Sequence, residues 1–149
     1  MIANVDRDLT QRLREKISAD SYPHLLGIDL LEAGQGCVRL RMKIDKRHFN
    51  GAGVVHGGVL SSLADTAVAF SLMTLVGTGS WMPTVDLNIT FVAPIKKTEI
   101  FAEGRIVHRG GTIAVGEVEI AEEDGRLLAR SRATYLMPKP LAKGVKNEG

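Results

Sequence analysis

Residues 59–76 form a run in which only Ser61, Ser62, Asp65, Thr66, Ser71 and Thr74 are polar. A helix that is apolar all round at this length either crosses a bilayer or lies inside a protein. Asp65 stands near the middle, and neither end has a basic flank. A central aspartate costs about 3 kcal/mol on membrane insertion. The run therefore reads as a core helix, closed by Gly77-Thr78-Gly79. Its cover has to come from the rest of the chain.

That cover is written as strands. Val38, Leu40, Met42 and Ile44 alternate with Arg39, Arg41 and Lys43, the period of two of a half-buried strand. Residues 28–33 pair with it across Gly34-Gln35-Gly36. Four more strands are expected over 84–91, 99–108, 113–122 and 127–136, with Asp124-Gly125 as a hairpin turn and Pro94 and Gly110-Gly111 as breaks. Strands joined by short turns are expected to be antiparallel neighbours. Residues 6–19 carry Leu9, Leu13 and Ile17 at helical spacing, a surface helix with one thin apolar stripe, broken by Ser21-Tyr22-Pro23-His24. The expected class is α+β: one antiparallel sheet curled around one long helix, with a short N-terminal helix. Such a sheet has open edges, which invite a second copy.

Composition removes several functions. The 149 residues fit one domain, with a core over about 26–136 and a loose basic tail over 138–149. A net charge of +2 gives no nucleic-acid footprint. Cys37 is the only cysteine, so no internal disulfide forms, and no apolar N-terminal stretch resembles a signal peptide; a reducing, cytoplasmic setting is expected. Gly51-x-Gly53-x-x-His56 lacks the third glycine and the βαβ context of a dinucleotide loop. There is no phosphate loop and no Gly-x-Ser-x-Gly elbow. His24, His48, His56 and His108 lack zinc spacing, so no metal is expected. Cys37 reads as packing rather than as a nucleophile.

One cluster remains: Asn50, His56-Gly57-Gly58 and Asp65. The glycine pair stands where the helix begins, where backbone N–H groups are free and the dipole is positive. Such a corner can hold an oxyanion, glycine lets a carbonyl approach, and Asn50 adds a side-chain donor. The plainer alternative is a turn at Asn50-Gly51 and a tight helix entry at Gly57-Gly58. A carboxylate in a core helix is costly. Asp65 is either satisfied by Ser61 and Ser62 on its own face, or is a base or nucleophile. Gly57 and Asp65 lie eight residues apart, about 12 Å along a regular helix. Both can act on one carbonyl only if two copies meet, and a two-fold dimer makes two such sites.

The run His48-Phe49-Asn50-Gly51-Ala52-Gly53-Val54-Val55-His56-Gly57-Gly58, followed by Leu63-Ala64-Asp65-Thr66-Ala67, resembles the hotdog-fold acyl-CoA thioesterases, and most of all their phenylacetic-acid-degradation (PaaI-like) branch. The resemblance extends over about Leu26 to Leu136. It implies a homodimer with shared active sites, often doubled to a homotetramer. It also implies hydrolysis of an aryl- or medium-chain acyl-CoA with no cofactor, coenzyme A being part of the substrate. By the same resemblance Gly57 N–H and Asn50 bind the thioester carbonyl, and Asp65 of the partner subunit is general base or nucleophile. His56 shapes the corner, and Thr84 positions water or Asp65. Arg109 with Gly110-Gly111 meets the coenzyme A phosphates, with Lys96 and Lys97 as lesser candidates. Gly58 joins the substrate-binding set, and Phe49, Leu72, Met73, Trp81 and Met82 are candidates for lining the acyl pocket. Two other uses of the same fold stay open: acyl-CoA binding without chemistry, and a hydratase or dehydratase.

Overall fold

The computed structural model describes residues 2–17 and 20–139. Three helices, α1 (Arg7–Arg14), α2 (Tyr22–Leu25) and α3 (Gly57–Val76), accompany six strands: β1 (Ile28–Gly34), β2 (Cys37–Lys43), β3 (Thr84–Phe91), β4 (Glu99–Arg109), β5 (Ile113–Ala121) and β6 (Leu127–Leu136). The strands form one antiparallel sheet in the order β1-β2-β4-β5-β6-β3. The sheet packs on α3, the expected hotdog arrangement with a short N-terminal helix.

Several boundaries differ from the sequence reading. α1 is capped by Asp6, whose Oδ1 accepts from Leu9 N–H at 2.9 Å. It ends at Arg14 instead of running to 19, because Lys16 and Ile17 bond back only three residues; residues 18 and 19, like most of the expected basic tail, lie outside the described residues. Pro23 breaks the chain after α1 but also opens α2, since proline is accommodated in a first helical turn. α3 starts at Gly57, two residues before the apolar run.

The largest difference concerns β3. It pairs with β6, not with its successor β4, and occupies an edge of the sheet. The connection from β3 to β4 crosses the sheet end and is clamped there by Glu122. The Glu122 side chain, 1% exposed, bonds to Arg126, whose Nη2 lies 2.8 Å from Oε1. The same Oε1 accepts from the N–H groups of Lys96 and Lys97 at 2.7 and 3.1 Å, and Arg126 also donates to the Pro94 carbonyl.

α3 buries Leu60, Leu63, Ala64, Ala67, Val68, Phe70, Ser71 and Leu72 against the sheet. The close seat depends on two glycines. A Cβ on Gly104 of β4 would stand 2.8 Å from the Ala67 carbonyl oxygen, and one on Gly116 of β5 would stand 2.5 Å from Val68 Cγ1. The opposite side of α3 (Ser62, Asp65, Thr66, Ala69, Met73) is only partly covered.

The two sheet edges are treated differently. The β1 edge is covered by α1. Arg14 donates to the Leu30 and Leu31 carbonyls at 2.8 Å each, Asp6 N–H to the Ala33 carbonyl, and Ala33 N–H bonds to Thr10 Oγ1 at 3.0 Å. Among the described residues no strand covers the outer side of β3. Val85, Leu87 and Phe91, which alternate along it, are 52%, 36% and 53% exposed. A bare apolar edge of this kind is a pairing surface.

Two outcomes follow from these contacts. Gly104→Ala lowers the unfolding free energy by about 1–2 kcal/mol, because overpacking against a helix carbonyl outweighs the entropic gain of alanine; urea denaturation checks it, and unchanged stability contradicts the close seat. Arg126 holds the Glu122 carboxyl at about 2, against an ordinary 4.5. A lowered pKa adds stability that is complete above pH 4.5 and disappears as pH falls toward 2. Thermal melts across this window should fall less steeply for Glu122→Gln than for the parent; parallel curves contradict the clamp.

Candidate active site

Asp65 lies in the middle of α3 on its less covered side, and its carboxylate is half-buried. Ser61 and Ser62 do not satisfy it. Their hydroxyls bond back to the Gly57 and Gly58 carbonyls at 3.1 and 2.9 Å. Its partners come from the sheet. Oδ1 accepts from Thr84 Oγ1 at 2.9 Å and from Tyr135 OH at 2.6 Å, and the same phenol lies 2.8 Å from the Asp65 carbonyl. Burial first, and the hydrogen bond to Asp65 second, push the Tyr135 pKa far up, so the phenol keeps its proton and acts as donor. Oδ2 makes no hydrogen bond among the described residues.

Tyr135 is absent from the residues singled out in the sequence. A signal for it exists. On β6 the inward side chains are Ala129, Ser131, Ala133 and Tyr135, three small residues and one large one with a polar tip. A buried tyrosine hydroxyl normally has a partner; which partner depends on a contact 70 residues away.

The second half-site is the loop between the Lys46–His48 turn and α3. Asn50 N–H donates to the Val54 carbonyl at 2.8 Å, and His56 N–H to the His48 carbonyl at 2.8 Å. The Asn50 Oδ1 accepts from Ala52 and Val54 N–H groups at 2.9 and 3.3 Å. The oxygen is thereby engaged, and the amide's remaining capacity is its Nδ2 donors. His56 caps α3, its Nδ1 accepting Gly58 N–H at 2.8 Å. The Val59 N–H is taken by the His56 carbonyl. Gly57 N–H has no partner among the described residues. A Cβ on Gly57 would meet Phe91 Cζ at 2.9 Å, so a larger residue there would have to displace that exposed ring.

The other expected residues separate. Phe49 is 46% exposed beside Asn50, and Trp81 is 81% exposed just before β3. Met73 is partly buried on the same side of α3 as Asp65. Leu72 and Met82 are instead core side chains, at 0% and 9% exposure. Arg109 and Gly110 lie at the end of β4, where Gly110 N–H closes a turn onto the Ile113 carbonyl; Arg109 is exposed and forms no ion pair among the described residues. Lys96 and Lys97 use their backbone to hold Glu122, and their side chains are exposed. Burial pushes the Cys37 thiol up, as suits a packed side chain rather than a thiolate.

The Thioesterase superfamily model matches residues 52–129, a span that takes in the His56-Gly57-Gly58 corner and Asp65. The chain belongs to this superfamily. With relatives named as thioesterases, this chain is a thioester hydrolase. It is 35% identical over 135 residues to human acyl-coenzyme A thioesterase 13, covering 85% of this chain and 94% of that protein. Among solved structures, a thioesterase from Haemophilus influenzae superposes with TM-score 0.78 at 25% identity, covering 85% of this chain and 88% of the other. The zebra fish thioesterase superfamily member 2 gives TM-score 0.76 at 25% identity over 90% and 99% of the two chains. The PaaI protein of E. coli, from the phenylacetic acid degradation operon, shares the fold with TM-score 0.80 at 24% identity over 91% and 97%.

The contact between sheet and helix at Asp65 has a measurable weight. Tyr135→Phe removes one donor from a carboxylate and leaves the other in place. It should cost about 1.5–3 kcal/mol of stability, the range for hydrogen bonds to charged groups. Denaturant unfolding of the purified variant checks this, and a cost near zero contradicts the bond.

Proposed function

We propose that this chain hydrolyses an acyl-coenzyme A thioester to a carboxylic acid and free coenzyme A, at sites shared across a two-fold dimer. The observation that carries the proposal is where the two half-sites fall along β3. Thr84, at its start, bonds to Asp65. Phe91, at its end, lies against Gly57. Gly57 and Asp65 of one chain are about 12 Å apart along α3 and cannot meet at one carbonyl. If two β3 edges pair antiparallel about a two-fold axis, the Phe91 end of one lies beside the Thr84 end of the other. Each Gly57 and Asn50 corner then faces the Asp65 of the partner, and the apolar β3 edge is covered. The name of the human relative, an acyl-coenzyme A thioesterase, supports the substrate class.

In this arrangement Gly57 N–H and Asn50 Nδ2 donate to the thioester carbonyl oxygen and stabilise the charge that develops there. Thr84 and Tyr135 hold Asp65 by Oδ1, leaving Oδ2 to take a proton from water as the water oxygen attacks the carbonyl carbon. The C–S bond then breaks, coenzyme A leaves as thiolate and is protonated, and the acid is released. The alternative role for Asp65 is direct attack through Oδ2 on the carbonyl carbon, which breaks the C–S bond, expels coenzyme A as thiolate and leaves a mixed anhydride that water then opens to the acid and the free Asp65 carboxylate. All the groups used belong to the protein, with coenzyme A supplied as part of the substrate. His56 fixes the start of α3, and Gly58 packs against its ring. Arg109, beside Gly110, is proposed to meet the coenzyme A phosphates. Phe49, Met73 and Trp81 are proposed acyl-side walls, and their apolar surface suits an aryl or medium aliphatic group. A tetramer of two such dimers and a cytoplasmic setting, consistent with the lone thiol, complete the reading.

Thiol release from a panel of acyl-CoA substrates tests the activity, and the same assay tests the shared site. Asp65→Asn and Gly57→Val should each lose at least a hundredfold in kcat. Subunit exchange in an equal mixture places half the chains in mixed dimers, each with one intact site. Activity then returns to about a quarter of the parent. No recovery after verified exchange contradicts a site built from two chains.

A further inference from the structure

His48 is 2% exposed, and neither ring nitrogen is idle. Nδ1 accepts the Asp45 N–H at 2.9 Å. An acceptor nitrogen carries no proton, so Nε2 carries it and donates to the Leu26 carbonyl at 2.9 Å. The ring thus joins the turn before the Asn50 loop to the segment that follows α2. The main chain of the same residue performs a second task. Its carbonyl accepts the His56 N–H, and the next rungs are the Phe49–Val55 bridge and the Asn50 N–H bond to the Val54 carbonyl. One arm of this small ladder carries Asn50; the other runs through His56 directly into Gly57.

We infer that His48 is a positioning residue for the thioester site: its doubly bonded ring fixes the base of the ladder and so sets the placement of the Asn50 amide and the Gly57 N–H. The inference rests on the function proposed above, since it assigns those two groups to the substrate carbonyl. It gives a use to a histidine without metal-ligand spacing and without contact with Asp65 or Thr84. A donor pair that stabilises charge in the transition state is sensitive to displacement, and about 1 Å can cost on the order of a hundredfold. A histidine that served packing alone would alter the melting temperature and leave turnover unchanged.

The test compares the parent, His48→Asn and His48→Ala. Asparagine keeps an acceptor near the Nδ1 position and loses the bond to Leu26; alanine loses both. Thiol release should show kcat falling in that order, by about 10- to 100-fold for alanine, with KM within about twofold of the parent. Amide spectra of 15N-labelled protein should show the Gly57 N–H and Asn50 side-chain signals shifted or broadened in the variants, and the Tyr135–Asp65 region unchanged. His48→Asn decides the matter where alanine fails to fold. Folded variants that keep kcat within twofold, with unchanged Gly57 and Asn50 signals, overturn the inference. Asn50→Ala separates the two claims: if it loses turnover and the folded His48 variants do not, the thioesterase reading stands and the role of His48 falls. If the parent releases no thiol from any acyl-CoA, the thioesterase reading fails, and the amide spectra alone decide whether His48 positions the two donors.

Discussion

α3 can lie close against the sheet only because β4 and β5 present bare backbone beneath it, at Gly104 and Gly116. That short separation has a chemical consequence. The Tyr135 hydroxyl, projecting from β6, reaches both the carbonyl and the carboxylate of Asp65 in the middle of the helix. A helix lifted by the width of a methyl group would leave a buried phenol without its partner, and the carboxylate free to rotate. The packing of apolar residues and the orientation of the one acidic group in α3 are thus the same constraint. Interiors at crystal-like density transmit small displacements in this way.

The sheet edges carry the next level of organisation. An edge strand with free N–H and C=O groups is a hazard unless covered. At β1 the cover is α1, with Arg14 bonding two consecutive carbonyls. At β3 the apolar side chains are left in solvent within the chain. The contrast leaves β3 as the uncovered edge among the described residues, the edge that a second copy would meet in the proposed dimer. It also explains why a run that reads as apolar on all sides is buried mainly on one side of α3, with the remaining side left beside the open strand.

Much of this was legible in the residues. The alternation in 38–44, the turn at Asp124-Gly125, where Gly125 has φ +86°, and the span of β3 and β6 follow from local periodicity and turn chemistry. The position of β3 in the sheet was not, because edge placement is settled by long-range pairing with β6 and by the Glu122 clamp, neither of which leaves a local pattern. Leu72 illustrates a different limit. In an amphipathic helix its spacing from Ala64, Ala67 and Val68 would mark it as core. In a helix apolar all round, periodicity carries no such sign, and a core leucine reads as well as a pocket wall. The cluster Asn50, His56-Gly57-Gly58 and Asp65 was legible as a candidate site, and Thr84 was reached as a partner of Asp65 through the family resemblance; Tyr135 was not, since its contact with Asp65 spans 70 residues.

In the proposed reaction, the separation of Gly57 and Asp65 along a single rigid helix makes a dimer part of the chemistry. An α-helix holds residues 57 and 65 about 12 Å apart whatever side chains they carry, so no rotamer change brings Asp65 to the carbonyl held at its own Gly57. A loop could close such a gap only by giving up the rigidity that an oxyanion site depends on. The proposed two-fold axis would close it without loss of rigidity, because both half-sites would stay on the same chain segments and only their relative placement would be set by the interface. In the proposed dimer, the contact that buries the β3 edge also completes both sites, so that loss of one would entail loss of the other.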